Sequence, residues 1–320
     1  MPAAAAFEPR TVIVTGGAGF IGSHLAGAFA ARGCRVLVID DLSSGRRDNL
    51  PAGAELHVLD VRSPAAAELV AASGAELLVH QAAQIDVGRS VADPLLDADV
   101  NVRGTLNLLE GARRGAVRQV LFASTGGALY GEQEVFPAPE GHPERPLSPY
   151  GVSKLAVERY LYVYHREHGL DAACLRYANV YGERQNPHGE AGVVAIFLHR
   201  LLAGERATIN GDGLQTRDYV HVSDVVAANL AAGGRPGYLV YNVGTGVETA
   251  VVTLYRELAR ALGSDLEPAH GPPRPGEQRR SSIDATRARR ELGLGEPVPL
   301  AEGLARTAAW FRARHAAALR

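Results

Sequence analysis

In the stretch SPYGVSKLAVERYL, Tyr150 is followed four residues later by Lys154, the only lysine of a 320-residue chain whose lysines and arginines total 33. Arginine supplies every other fixed side-chain cation. Four residues is about one helical turn, so the phenol and the ammonium share a helix face. A tyrosine near its free pKa of about 10 is a poor base at neutral pH, and an adjacent ammonium favours the phenolate. With 11 tyrosines in 320 positions, a lone lysine falls four after one of them by chance about 3% of the time. The pair therefore reads as chemistry rather than coincidence.

A second constellation lies near the N-terminus. VTGGAGFIGSHL sets Gly16, Gly19 and Gly22 after a β-branched run and at the head of a helical pattern. Glycines there permit a tight turn and close backbone approach, and a helix N-terminus faces a pyrophosphate. Alone, this spacing reads equally well as a tight strand–helix turn. Asp40, about 20 residues on, ends the next apolar run, where a carboxylate can accept both hydroxyls of an adenosine ribose. Asp41 adds a second negative charge that would repel a ribose 2′-phosphate. The pair favours NAD over NADP; Arg46 and Arg47 nearby argue the other way unless they are surface cations of a short helix. A nicotinamide cation would favour the Tyr150 phenolate further, and the compact Lys154 ammonium suits a pair of ribose hydroxyls better than arginine's wide fork.

These residues need a scaffold, and the chain's rhythm predicts one. RTVIVT, RVLVID, ELHVLDV, ELLVHQAA, RQVLFAST and LDAACLRYANVYG read as apolar strands. Helical segments separate them, among them PLLDADVNVRGTLNLLEGARR and the run from Pro149 to His168. Continuous apolar strands alternating with helices predict an α/β fold with a doubly wound parallel sheet covered on both faces. The pattern assigns 11–181 to this dinucleotide-binding domain and 182–320 mainly to a smaller, interleaved α/β lobe for substrate. Residues of about 217–242 return to the first domain, because RDYVHVSDVVAANLAA looks like another strand–helix unit of the main sheet. Further helices are expected near 192–203, 222–232, 250–262 and 300–315. EPAHGPPRPGEQRR is the one long irregular stretch, a feature often tied to function.

Bulk properties narrow the class. A formal net charge of -2 and a pI near 6.6 suggest neither a nucleic-acid partner nor an anionic membrane surface. The most basic stretch, RRSSIDATRARRE, reads as a solvated helix face. No apolar run approaches the roughly 20 residues of a spanning helix, and the N-terminus lacks the pattern of a signal peptide. Cys34 and Cys174 have no metal-ligand spacing and read as buried apolar thiols, so no metal is expected. A soluble, reduced, cytoplasmic protein is the expectation.

Beyond these local signals, TGGAGFIGSHL, DDLSSGRRDNL, HQAAQIDVGRSVADPLLDADVNVRGTLNLLE, ASTGGALYGE, SPYGVSKLAVE, LRYANVYGERQNPHGEAGVVAIF and GDGLQTRDYVHVSDV together resemble the extended short-chain dehydrogenase/reductase family, and within it the UDP-glucose 4-epimerase branch. The resemblance spans about Thr11 to Trp310. It implies a Rossmann-type fold, NAD held by the glycine turn with Phe20, Ile21, Asp40, Asp41, Leu42 and Ser44, and Asp60 and Val61 at the adenine. Gln81, Ala82, Ala83 and Gln84 would line the cofactor, with Asn101 in support. Ser124, Tyr150, Lys154, Tyr177 and Val180 would follow toward the nicotinamide. For a UDP-sugar it implies Thr125, Tyr150, Asn179, Gly192, Val193, Thr208, Asn210 and Ser281, with Arg217 and Arg274 on the diphosphate and Glu277 on the nucleotide ribose. Guanidinium forks suit a diphosphate and carboxylates suit ribose diols.

Two departures stand out. Many family members carry a catalytic hydroxyl four residues before the Tyr of the YG dipeptide, and here that position is Gly126. Either Ser124 or Thr125, with Thr125 favoured, must serve O4 of the sugar. Ser281 stands where some members carry a bulky tyrosine beside the sugar's 2-substituent, leaving room for an N-acetyl group. The reaction implied is interconversion of UDP-glucose and UDP-galactose through a 4-keto sugar, with UDP-GlcNAc and UDP-GalNAc as further candidates. A 4,6-dehydratase would need an Asp–Glu pair at Gly126 and Gly127. A UDP-glucuronate epimerase or decarboxylase and a non-catalytic NAD-binding regulator are the other readings. The resemblance also implies a homodimer through the helices after strands four and five. Tyr160 and Tyr164 share a helix face there, suited to that interface or to packing within one subunit.

Overall fold

The computed structural model describes residues 7–187, 192–273 and 278–318. Its strands are β1 (Thr11–Thr15), β2 (Arg35–Asp40), β3 (Glu55–Val58), β4 (Leu77–His80), β5 (Gln119–Thr125), β6 (Asp171–Tyr177), β7 (Asn179–Tyr181), β8 (Thr208–Asn210), β9 (Thr216–His221), β10 (Tyr238–Val243), β11 (Glu248–Ala250) and β12 (Ala269–Gly271). The helices are α1 (Phe20–Ala31), α2 (Pro64–Ala72), α3 (Val87–Ala92), α4 (Pro94–Ala98), α5 (Gly104–Arg114), α6 (Gly126–Leu129), α7 (Pro149–His168), α8 (Val193–Leu202), α9 (Val222–Ala232), α10 (Val251–Leu262), α11 (Thr286–Leu292) and α12 (Leu300–Ala318).

Seven strands form one parallel sheet in the order β10-β6-β5-β4-β1-β2-β3. The order reverses at β1–β4, and ligands of open α/β sheets bind at that switch point, outside the carboxyl ends of the strands. Period-two alternation divides every strand of this sheet except β3 between two cores. On β5, Leu121 and Ala123 join a cluster with α1 and α9, while Val120 and Phe122 join one with α2, α5 and α7. A third cluster is built on α8, α10 and α12.

The expected doubly wound α/β architecture is present, with local differences that bear on the site. The segment quoted as one helix after β4 is interrupted by a π-helical turn, Asp99–Arg103, between α4 and α5. The sixth predicted strand splits at Ala178 into β6 and β7, and β7 leaves the large sheet. It offers a free edge to β9, so RDYVHV joins β7 and β11 in a three-stranded sheet rather than extending the main one. Beyond β9, α9 packs on the large sheet and β10 is its outer strand. Part of the long irregular stretch pairs as β12 with β8. Arg47–Asn49 form a 3-10 turn and Arg46 and Arg47 are exposed. Cys174 is buried, whereas Cys34 is only half-buried and bonds the Pro9 carbonyl. On α7, Tyr164 turns inward and donates to Glu110 at 2.6 Å, so the two tyrosines part ways; Tyr160 stays 41% exposed. Among the described residues no helix is long and apolar enough to cross a membrane.

Candidate active site

The glycine turn between β1 and α1 is shaped by close backbone contact. Gly16 has φ +64°, and a Cβ on it would lie 2.8 Å from the Ala82 nitrogen; one on Gly22 would lie 2.1 Å from the Gly16 oxygen. Helix α1 starts after Gly19 with no side-chain cap and no acidic residue in its first turn, which leaves its leading N–H groups, from Phe20 and Ile21 onward, to an anion. Asp40 ends β2, 7% exposed, and its two oxygens accept from Ala18 N at 2.9 Å and Leu42 N at 2.8 Å. Burial holds this carboxyl above the usual range against those two donors, and each oxygen keeps a lone pair for a ribose hydroxyl. These features fit NAD. Asp41 is exposed and accepts from the backbone and hydroxyl of Ser43; Ser44 is exposed beside it. Asp60 is held below its usual range by the Arg62 guanidinium, and Val61 is buried under Gly104, where a Cβ would lie 2.8 Å from Val61 Cγ2.

After β4 the chain is tied down by an internal relay. Thr105 Oγ1 donates to the Asn101 carbonyl at 2.6 Å, so it accepts from His80 Nε2 at 2.8 Å. His80 Nδ1 is then the acceptor for Thr15 Oγ1 at 2.7 Å, which in turn receives the Gln81 and Ala82 N–H groups. Burial, with the Lys154 charge adding to it, pulls the His80 pKa down to about 3, consistent with a neutral ring. Ala83 is half-buried in the same turn. Asn101 sits in the π-helical turn, a distortion frequent at functional sites. Its Oδ1 takes the Gln84 N–H at 2.8 Å, and its Nδ2 reaches the Gln84 carbonyl, Asp97 Oδ1 and Ser153 Oγ.

Helix α7 carries the candidate pair. Ser148 caps it through the Gly151 N–H, Pro149 opens it, and Tyr150 is half-buried in the first turn. Lys154 is 4% exposed; its Nζ donates to the Ala123 carbonyl at 2.9 Å and lies 4.8 Å from the Phe122 ring centroid and 5.8 Å from that of Tyr150. Burial draws its pKa down to about 8, with Asp97 opposing. Burial, and secondarily Asp97, pushes the Tyr150 phenol above its ordinary value. Before a cofactor is bound, burial and Asp97 thus outweigh the phenolate-favouring charge that the Tyr150–Lys154 spacing suggests.

Strand alternation separates the two candidate hydroxyls. Ser124 shares the Val120–Phe122 face, toward α7, and its Oγ donates to Glu158 at 2.5 Å. Thr125 takes the other face and its Oγ1 accepts the Ala128 N–H, capping α6; its own proton is not committed by that bond. Tyr177 is buried, its hydroxyl receiving Gln81 at 3.3 Å and Asn229 at 2.9 Å. Asn179 is exposed and Val180 half-buried on β7.

The remaining substrate candidates lie on or beside α8, β8 and β9 and in the stretch after β12. Gly192 caps α8 just before Val193, and a Cβ on it would strike Gln185. Thr208 and Asn210 bound β8, and Arg217 lies on β9 opposite Thr249. Ser281 is 3% exposed, its Oγ 3.8 Å from where a Gly127 Cβ would be. Arg274 and Glu277 lie outside the described residues.

Several residues around the pair carry no motif of their own. Glu158 and Arg176, 0% and 2% exposed, form a buried ion pair that also engages Ser124, Tyr130 and Glu144. Tyr130 passes the bond on to Asn242 at 2.7 Å. His80 is inside the quoted HQAA stretch, but no spacing relates it to Thr15 and Thr105. Asp97 and Ser153 gave no signal, since short polar residues on helices are common.

Comparison with known proteins agrees with this geometry. Residues 12–244 match the model of the NAD dependent epimerase/dehydratase family. A UDP-glucose 4-epimerase of Mycolicibacterium smegmatis is 49% identical over 306 residues, 94% of this chain and 98% of the relative. The crystal structure of Thermotoga maritima UDP-glucose 4-epimerase with UDP-glucose superposes with TM-score 0.92 at 46% identity, covering 95% of this chain and 99% of that one. The Thermus thermophilus UDP-glucose 4-epimerase, solved with NAD, gives 0.89 at 44% identity over 94% and 99%. A glycine cradle suited to NAD, a Tyr–Lys pair at the sheet's carboxyl end and full-length similarity converge: the chain belongs to the NAD dependent epimerase/dehydratase family.

Proposed function

We propose that this chain is a UDP-hexose 4-epimerase that interconverts UDP-glucose and UDP-galactose. The observation that carries the reading is the position of Tyr150 and Lys154 on the opening turns of α7, with Lys154 bonded to β5 two residues before Thr125. Tyr150 takes the proton of the sugar O4 as C4 is oxidised and returns it when C4 is reduced. Lys154 supports the phenolate and donates to ribose hydroxyls. Thr125 donates to O4 with the hydrogen its capping bond leaves uncommitted. Arg217 and Arg274 hold the diphosphate while the 4-keto sugar turns to present its other face, and Glu277 accepts from the nucleotide ribose. When bound, NAD supplies the hydride acceptor and donor at C4, and its nicotinamide charge favours the phenolate.

Dehydration is disfavoured by the turn after Thr125. Gly126 and Gly127 offer no acid or base, and a Cβ on Gly126 would lie 2.8 Å from Ile283 side-chain atoms, so a larger residue has no space. Incubation of the protein with UDP-galactose, without added nucleotide, tests the reading. UDP-glucose as product supports it; a 4-keto-6-deoxy sugar or unchanged substrate contradicts it.

The small Ser281 facing Gly127 supports acceptance of N-acetylated substrates. Ser281→Tyr should lower UDP-GlcNAc turnover selectively, and equal loss on both sugars would count against this. A homodimer in the cytoplasm completes the proposal. Its support is a cleft of about 520 Å³ lined by Pro94, Ala98, Leu147, Val152 and Ala156, where Leu147 and Val152 are 63% and 53% exposed, with Leu95, 82% exposed, next to Pro94 on α4. Leu95→Glu should shift the mass in light scattering to a monomer; an unchanged mass would exclude this face.

A further inference from the structure

Asp97 on α4 is 1% exposed, and its carboxylate is unevenly satisfied. Oδ1 accepts from Gln84 Nε2 at 2.9 Å and Asn101 Nδ2 at 3.0 Å, whereas Oδ2 is buried with no hydrogen-bond partner among the described residues. A buried carboxylate with an unpaired oxygen is costly and calls for a charge to balance it. Among the described residues the neighbouring charges are otherwise placed. Arg62 and Arg103 are committed to Asp60 and Asp99, Arg89 and Asp93 are exposed, and Asp86 caps α3 through the Arg89 N–H. From β4, His80 is neutral; on α7 itself, Glu158 is bound to Arg176. What remains is Lys154, on the helix that packs against α4, with Tyr150 one turn before it. A hydrogen-bond path joins Asp97 to the first turn of that helix: Asn101 Nδ2 also donates to Ser153 Oγ at 3.2 Å, and Ser153 donates to the Tyr150 carbonyl at 2.9 Å.

We infer that Asp97 is the counter-charge of the catalytic helix, a positioning residue that keeps Lys154 an ammonium and, through Asn101 and Ser153, fixes the first turn that carries Tyr150. This rests on the role of Tyr150 and Lys154 given above. The directions of the local fields agree: Asp97 raises the proton affinity of Lys154 and of Tyr150 alike. Removing its charge while keeping its shape therefore moves both titrations to lower pH. A purely structural role would slow the reaction without moving them.

The single lysine makes a direct test possible. In chain labelled with 13Cε-lysine, the side-chain signal belongs to Lys154 alone, and its midpoint in the parent should lie near 8. In Asp97→Asn it should fall by about one pH unit, the scale of one charge acting across a protein interior. Both limbs of the pH profile for UDP-galactose conversion should shift down by a similar amount. Asp97→Ser serves if the first variant does not fold. An unmoved or raised midpoint in a folded variant overturns the inference, as does a lowered midpoint with unshifted conversion limbs. The NMR titration needs no turnover, so it stands apart from the epimerase reading. That reading falls separately if Tyr150→Phe keeps parental activity.

Discussion

Glu158→Gln probes whether the buried ion pair behind the site holds α7 in place. Glu158 and Arg176 are essentially inaccessible, with Arg176 Nε 3.0 Å from Oε1 and Nη2 2.6 Å from Oε2. Ser124 Oγ adds a third bond to the same carboxylate. Removing one partner of such a pair costs about 3–5 kcal/mol, because the remaining charge stays buried. Glu144 also contacts Arg176, and Tyr130 accepts from it, so the lower end, about 3 kcal/mol, is expected. At about 2.1 cal/mol/K of unfolding entropy per residue, a chain of this length should lose about 4–5 °C in Tm. Differential scanning calorimetry at pH 7 measures this directly. Combining the change with Arg176→Met removes the stranded charge and should recover most of the loss, since buried pairs exchange for apolar residues at little cost. A Tm within 1 °C of the parent, or a double variant less stable than the single one, would refute the reasoning.

Other outcomes follow from the same geometry. Lys154→Arg keeps the charge but asks the slot between Phe122 and Ala123 to take a wider head, so the UDP-galactose conversion rate should drop about 10²-fold or more; a near-parental rate would show that charge alone suffices. His80, lowered to about 3 in the fold, stays neutral in the native chain while the unfolded chain protonates near pH 6.5. Stability from this residue is thus full above about pH 6.5 and falls as pH drops, by about 3 kcal/mol down to about pH 4.5. His80→Gln should flatten that part of the urea-unfolding profile, and an unchanged slope would contradict it. Gly22→Ala places a methyl against the Gly16 carbonyl and should yield protein that retains little NAD after desalting, read by absorbance of the released nucleotide.

Much of this protein was legible along the chain. The parallel sheet, the glycine turn, Asp40 at the end of β2 and the Tyr150–Lys154 spacing are local features, set by side-chain periodicity, glycine geometry and one turn of helix. The bounds of α7, Pro149–His168, follow from Ser148, Pro149 and Gly169, its N-cap, first residue and left-handed stop. What stayed hidden depends on partners far apart in sequence. RDYVHV reads like a main-sheet strand, yet its edge partner is decided by where β7 peels away. Thr15, His80 and Thr105 meet only when β1, β4 and α5 are stacked. Ser124 and Thr125 are neighbours with similar hydroxyls, and no property of either residue says which one meets Glu158. The pleat of β5 decides that, once the sheet has fixed which face α7 covers. Sequence determined the chemistry available and the elements that bear it; tertiary packing decided which groups are buried together, because burial and charge pairing act through space rather than along the chain.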